Sequence, residues 1–176
     1  MRCCDEIEFS RLISFDPNLR LSLWKKPEEA RKRILYGMKQ CDIMKISEEE
    51  VAFVSEQESL EKGVSFIRDN SDIKILFVTL GNKGSIAYYK DEKIYCGGIH
   101  QEHVVDTTGA GDTFCGAVLS RILELGTDAL TEKDIREMLL FANAAASIIV
   151  TRKGALCSMP EPEEIRAASS LIDKVL

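Results

Sequence analysis

Short apolar runs alternate with segments in which apolar side chains recur every three or four positions along almost the whole chain. The run Leu12–Phe15 reads as a short buried strand, halted by Asp16-Pro17-Asn18, where proline fixes φ. Pro27 then opens a helix with Glu28 and Glu29 in its first turn, as the dipole prefers, running to about Lys39. A second short strand, Asp42–Ile46, is followed at once by Ser47-Glu48-Glu49-Glu50, which starts another helix. A third helix, around Ser59–Asp69, leads into Lys74–Leu80. That unbroken apolar run predicts a strand buried on both faces, as in parallel sheets. After the turn Gly81–Gly84, Ile86–Tyr89 and Lys93–Cys96 read as a hairpin around Lys90-Asp91-Glu92. Phe114, Ala117, Val118, Ile122 and Leu125 then recur with helical spacing and predict a helix over about 112–125. Another follows at about 132–149, with Thr131 as its cap and Asp134 three residues on. Its small-residue run Ala142–Ala146 suits close packing, Thr151–Ala155 is a turn, and Pro160-Glu161-Pro162 starts a last helix. Residues 1–12, with the doublet Cys3-Cys4 and several acids, are expected to end a helix that begins upstream. Strand and helix in alternation make this an α/β domain.

Composition narrows the function. At 176 residues and 45 % hydrophobic content, the chain suits one domain with a real core. Its net charge of −6 comes without a basic stripe, which argues against nucleic acid. Six cysteines show no metal-ligand spacing backed by histidines, and reduced, mostly buried thiols in a cytosolic protein are expected. With no apolar leader and no run of membrane-spanning length, the expected setting is soluble and cytoplasmic.

The chemistry concentrates in Asp106-Thr107-Thr108-Gly109-Ala110-Gly111-Asp112-Thr113-Phe114. Two glycines flank an alanine where a helix begins, so unpaired N–H groups and the positive end of the dipole face outward. Such a nest attracts phosphate oxygens. Asp112 stands at its edge, and an anion hole beside a carboxylate suits phosphoryl transfer: the amides hold developing charge while the carboxylate takes a proton from an attacking hydroxyl. The plainer alternative is an ordinary loop with an N-capping aspartate. No Gly-x-x-x-x-Gly-Lys-Ser/Thr is present, which argues against a P-loop kinase.

The nine-residue string closely resembles the second signature of the ribokinase/fructokinase family of sugar kinases. The resemblance runs in order from Asp16 to Ser158. It implies a ribokinase-like three-layer α/β/α fold with a mostly parallel sheet, and ATP-dependent transfer to a sugar hydroxyl with Mg²⁺ and K⁺. Asp112 would be the base, and Gly109, Ala110 and Gly111 the anion hole. Thr79, Gly81 and Gly84, within Thr79-Leu80-Gly81-Asn82-Lys83-Gly84, match a stretch bordering the nucleotide, and Asn143 a position near the adenine. A plain turn and a helix-surface amide are the competing readings. Glu50 matches a glutamate that organises magnesium through water, although Ser47 replaces the family asparagine and Ser-x-x-Glu is also a capping box. Asp106 and Thr108, with Ile149, Arg152, Gly154 and Ser158, match positions holding a monovalent cation; alternatively Asp106 only orders the glycine loop. His100 and His103, lacking metal partners, are expected at the surface.

Asp16-Pro17-Asn18-Leu19-Arg20, with Leu23-Trp24, resembles a segment of fructokinases and 2-keto-3-deoxygluconate kinases. It implies Arg20 as a two-pronged contact for phosphate or substrate oxygen, against a loop-stabilising salt bridge. The family pattern is met from about its midpoint. The glycine pair near the sugar, most sugar-binding side chains and the β-sheet lid belong to the amino-terminal half and have no counterpart here. Two expectations follow: a fructokinase-type kinase with impaired sugar recognition, or a non-catalytic nucleotide-binding module that self-associates, most simply as a homodimer, through strand edges left unpaired.

Overall fold

Alternate side chains of a strand face opposite sides, and in this chain both sides are apolar, so the sheet is covered twice. The computed structural model describes residues 12–154 and 158–172. The order is β1 (Ser14–Phe15), α1 (Pro27–Met38), β2 (Ile43–Ser47), α2 (Glu48–Ser55), α3 (Leu60–Asp69), β3 (Ile75–Thr79), β4 (Gly84–Tyr89), β5 (Glu92–Gly97), α4 (Ala110–Leu125), α5 (Glu132–Ile149) and α6 (Pro162–Ile172). Single 3₁₀ turns lie at Leu21–Leu23 and Gly81–Lys83.

The strands lie in chain order, β1 to β5. β1, β2 and β3 are parallel, with Ile43 opposite Ile75 and Ser47 opposite Thr79. β4 returns antiparallel to β3 and β5 antiparallel to β4. The mixture has a simple cause: the links into β4 and β5 are turns too short for a parallel crossover, whereas α1, and α2 with α3, supply the crossovers before them. Ile75 and Phe77 of β3 join Phe114, Val118 and Ile122 of α4 and Ile135, Met138 and Ala142 of α5 in one core. Leu76 and Val78 join Ile34 and Met38 of α1, Val51 and Val54 of α2 and Ile67 of α3 in the other. Phe77 meets Phe114 edge-on, ring centroids 6.3 Å apart, which fastens the start of α4 over the sheet.

Two expectations need correction. Only Ser14–Phe15 of the first apolar run is strand, and it is no buried one: Leu12 and Ile13 are 37 % and 42 % exposed. An edge strand of two residues has one neighbour and little cover, so apolar character alone does not bury it. The glycine helix begins at Ala110, before 112, because Gly109 takes φ +83 and turns the chain into the helix there. Asp112 therefore lies in the first turn. The amino-terminal expectation, residues 1–12 with Cys3-Cys4, falls outside the described residues except for Leu12.

Candidate active site

The carboxyl ends of β2 and β3 and the start of α4 meet at one end of the sheet, where open α/β sheets bind ligands. Two clefts meet there and share Ser47, Glu49, Thr79, Thr107 and Gly111. The first, about 630 Å³, is walled by Leu19 and Arg20, Lys45 and Glu50, and Asp112. The second, about 350 Å³ and more apolar, is walled by Gly81, Gly84, Ile99, Phe114, Asn143 and Val150. Each is of a size that holds a small ligand.

At the junction the amides of Gly109, Gly111 and Asp112 have no partner among the described residues, whereas Ala110 N–H reaches the Thr107 carbonyl at 3.3 Å and Thr113 N–H bonds Gly109. The open donors thus include Asp112's own N–H and leave Ala110 as wall. Asp112's side chain is exposed and has no hydrogen-bond or ion-pair partner among the described residues. It is not a side-chain cap, which removes the plainer reading of that aspartate.

Glu50 answers to both of its readings. Its Oε2 accepts Ser47 N–H at 2.9 Å while Ser47 Oγ accepts Glu50 N–H, a complete capping box. Its other oxygen accepts Leu19 N–H at 2.6 Å, so the carboxylate also grips the 16–20 loop. Arg20 is exposed on the cleft wall, bonded only to the Leu19 carbonyl at 3.3 Å, and makes no ion pair among the described residues. The loop-stabilising salt bridge belongs instead to Asp16.

Asn143 is buried, not a helix-surface amide. Ser85 Oγ donates to its Oδ1 at 3.0 Å, and its Nδ2 donates to the Cys96 and Gly97 carbonyls, both at 3.2 Å. Both amide protons are engaged in tying α5 to the β4–β5 hairpin, so toward a ligand Asn143 offers wall and a remaining oxygen lone pair.

Asp106 caps the glycine loop from the other side. Thr108 N–H bonds its Oδ1 at 2.9 Å, and its carboxyl is held below the usual aspartate value by Thr108 first and more weakly by Gly154 N–H and Lys153. The structure therefore brings Asp106 and Thr108 beside the turn after α5. Within that turn the Ile149 carbonyl accepts Arg152 N–H, and the Ser158 carbonyl accepts the Arg152 guanidinium at 3.4 Å, while Glu164 holds the other side of that guanidinium. Two of the oxygens expected for a cation thus already have donors.

Sequence reasoning missed Lys45, 7 % exposed, whose Nζ lies 3.2 Å from Asp16. The signal was present: a lone charge in the apolar strand Ile43–Ile46, on the same parity as Ile43. His100, exposed as expected, and Gln101, which sequence reasoning passed over, line the second cleft. Cys115, beside the carboxylates of Asp16 and Asp112, has its thiol pushed up to about 11, mainly by burial, which makes it a poor nucleophile.

Against this geometry the comparisons are unambiguous. The profile of the pfkB family carbohydrate kinases matches residues 2–162. The chain belongs to the pfkB family. It is 41 % identical over 160 residues to fructokinase-1 of Oryza sativa, aligning 90 % of this chain with 49 % of that one. A Vibrio cholerae fructokinase double mutant, solved with fructose, ADP and potassium, superimposes with a TM-score of 0.78 at 31 % identity over 89 % of this chain and 49 % of that one. An E. coli ribokinase II with ATP and Mg²⁺ gives 0.76 at 31 % identity over 91 % and 49 %. The ribokinase-like fold is therefore established. The chain spans about half the length of these relatives. Among the described residues no helix is long and apolar enough to cross a membrane.

Proposed function

We propose that the chain carries the phosphoryl-transfer centre of an ATP-dependent sugar kinase of the fructokinase type. The observation that carries this reading is the unpartnered Asp112 at the lip between two clefts that share Gly111 and its open amide. ATP would lie in the second cleft, bordered by Thr79, Gly81, Gly84 and Asn143, with its γ-phosphate on the amides of Gly109, Gly111 and Asp112. A sugar hydroxyl in the first cleft would lose its proton to Asp112 as its oxygen attacks the γ-phosphorus, and the bond to ADP breaks on the far side. The amides take up charge developing on the phosphoryl oxygens. Arg20 meets a phosphate or sugar oxygen from the loop wall. Magnesium travels with nucleotide phosphates and needs only one or two protein carboxylates, through water; Glu50, with lone pairs left beyond its two backbone bonds, and exposed Glu49 on both cleft walls are placed for that. Potassium would sit between Asp106–Thr108 and the Ile149–Ser158 turn, fixing the glycine loop. Fructose is the preferred acceptor, on the strength of the relatives named fructokinase and of the 16–20 segment.

A second reading, nucleotide binding without sugar transfer, is favoured by the first cleft's lining, in which Lys45 and Glu50 are already engaged by Asp16 and Leu19 N–H and so are less free to hold a sugar. One experiment separates the two: a coupled assay of ADP release with Mg·ATP, with and without fructose, beside calorimetric titration of Mg·ATP. Fructose-dependent ADP release supports the kinase, binding without release supports the second reading, and no binding at millimolar nucleotide defeats both.

A further inference from the structure

We propose that Lys45 is a positioning residue, which with Glu50 clamps the Asp16–Arg20 loop onto the phosphate nest so that the acceptor side and the anion hole move as one body. The inference deepens the kinase reading and rests on it for its catalytic consequence.

The ammonium occupies an unusual place. It is nearly buried and packs directly against the second residue of α4: a β-carbon at Gly111 would fall 2.9 Å from Nζ. A cation at a helix N-terminus has the wrong sign for the dipole, and a buried lysine is tolerated only when paired. Its partner is Asp16, with Nζ 3.2 Å and 3.4 Å from the two carboxylate oxygens. Asp16 in turn accepts Asn18 N–H at 3.1 Å, which shapes a turn where Asn18 takes φ +43. One residue further, Leu19 N–H is held by Glu50. Two grips, one from β2 and one from α2, thus close on a five-residue loop, and the unpaired Arg20 is what they present to the cleft.

The pair also looks poor as a stabilising device. Burial, joined by the nearby Glu50 carboxylate, raises the Asp16 carboxyl above its ordinary value in spite of Lys45, so the partner does not fully offset what opposes the charge there. A charge pair kept at such a cost, against the nest and under the loop, fits placement better than stability. Only glycine at 111 leaves room for the ammonium.

The test compares Lys45→Met, Lys45→Arg and Asp16→Asn with the wild-type chain by amide hydrogen exchange, with Phe77 in β3 as the internal measure of global folding. The expected result is exchange at Asn18 and Leu19 roughly tenfold faster or more in Lys45→Met and Asp16→Asn, near wild type in Lys45→Arg, with Phe77 unchanged. Unchanged protection of Asn18 and Leu19 in Lys45→Met overturns the clamp; should that variant fail to fold, Asp16→Asn, which weakens the same grip from the loop side, decides. This arm needs no nucleotide and judges the clamp even if the chain transfers no phosphoryl group. In the coupled assay, Lys45→Met should raise KM for fructose about tenfold while KM for ATP stays within about twofold. A change confined to ATP would place Lys45 in nucleotide binding and overturn the positioning role.

Discussion

Asp112, on the wall of the first cleft, and Asp16, in the loop whose later residues wall that cleft, are in opposite circumstances. Asp112 is exposed, with no hydrogen-bond or ion-pair partner for its side chain among the described residues. Replacing it by asparagine keeps shape and polarity but removes the carboxylate proposed as the base. We predict a fall in kcat of roughly 10²–10⁴-fold with ATP and fructose, and little change in nucleotide affinity by calorimetry. Near-normal turnover would take Asp112 out of the role. Asp16 is enclosed, and its carboxyl titrates above 3.8 because burial and the nearby Glu50 carboxylate together outweigh Lys45 and Asn18 N–H. The folded chain therefore binds this proton more tightly than the unfolded one. Its contribution to stability is fully present at low pH and declines as pH rises through the window that opens at 3.8. Urea midpoints should show Asp16→Asn gaining on the wild type as pH climbs through that window; a difference flat with pH would contradict the assignment.

At the scale of elements, the hairpin after β3 shapes the second cleft through a single backbone position. Gly84 takes φ +107, and a β-carbon there would lie 2.2 Å from the Cys96 carbonyl oxygen and 2.5 Å from Gly98 N. Neither is a flexible side-chain tip, so the β4–β5 pairing would have to move. Gly84→Ala should destabilise the chain by roughly 2–4 kcal/mol, read from urea unfolding. Gly111→Ala makes an instructive contrast: the only close group is the mobile end of Lys45, so the fold should survive with a small loss while the nest is disturbed. Equal damage from the two substitutions would show that Gly111 is as structural as Gly84. The helix starts tell a related story. Ser47 and Thr131 both form full capping boxes, whereas α4 begins on Gly109 with no side-chain cap. The start of α4 thus opens uncapped onto the clefts, although α1 and α3 also begin without a side-chain cap.

For the whole molecule the question is what the ends of the sheet meet. Among the described residues the edges are β1 and β5, and exposed Leu12 and Ile13 directly precede the short β1, with exposed Leu21 and Leu23 in the 3₁₀ turn that follows it in the chain. An edge with unpaired backbone groups and apolar neighbours invites another copy. We predict concentration-dependent self-association in sedimentation at micromolar protein, weakened by Ile13→Lys, which puts a charge on that edge. A monomer at all concentrations would refute it.

Elements written in the local pattern were legible from residues alone. α5 spans Glu132–Ile149 as the cap at Thr131 and the apolar spacing require, and β3 was marked by its continuous apolar run. So was the nest, because glycine spacing, helix start and carboxylate all lie within nine residues. What the chain did not disclose locally depends on neighbours far along it. Leu12 and Ile13 are apolar yet exposed because burial needs a covering partner, which no hydrophobic index contains. Asn143 proved to be a buried tie between α5 and the hairpin on the wall of the second cleft, where the sequence left a helix-surface amide open, since its partners are 46 to 58 residues away. Lys45 gained its meaning from Asp16, 29 residues earlier, and from Gly111. Sequence determines which residues can bend, cap, bury or ionise. Only the tertiary structure decides which of them meet, because the strength of a charge or a hydrogen bond depends on the partner and the solvent around it.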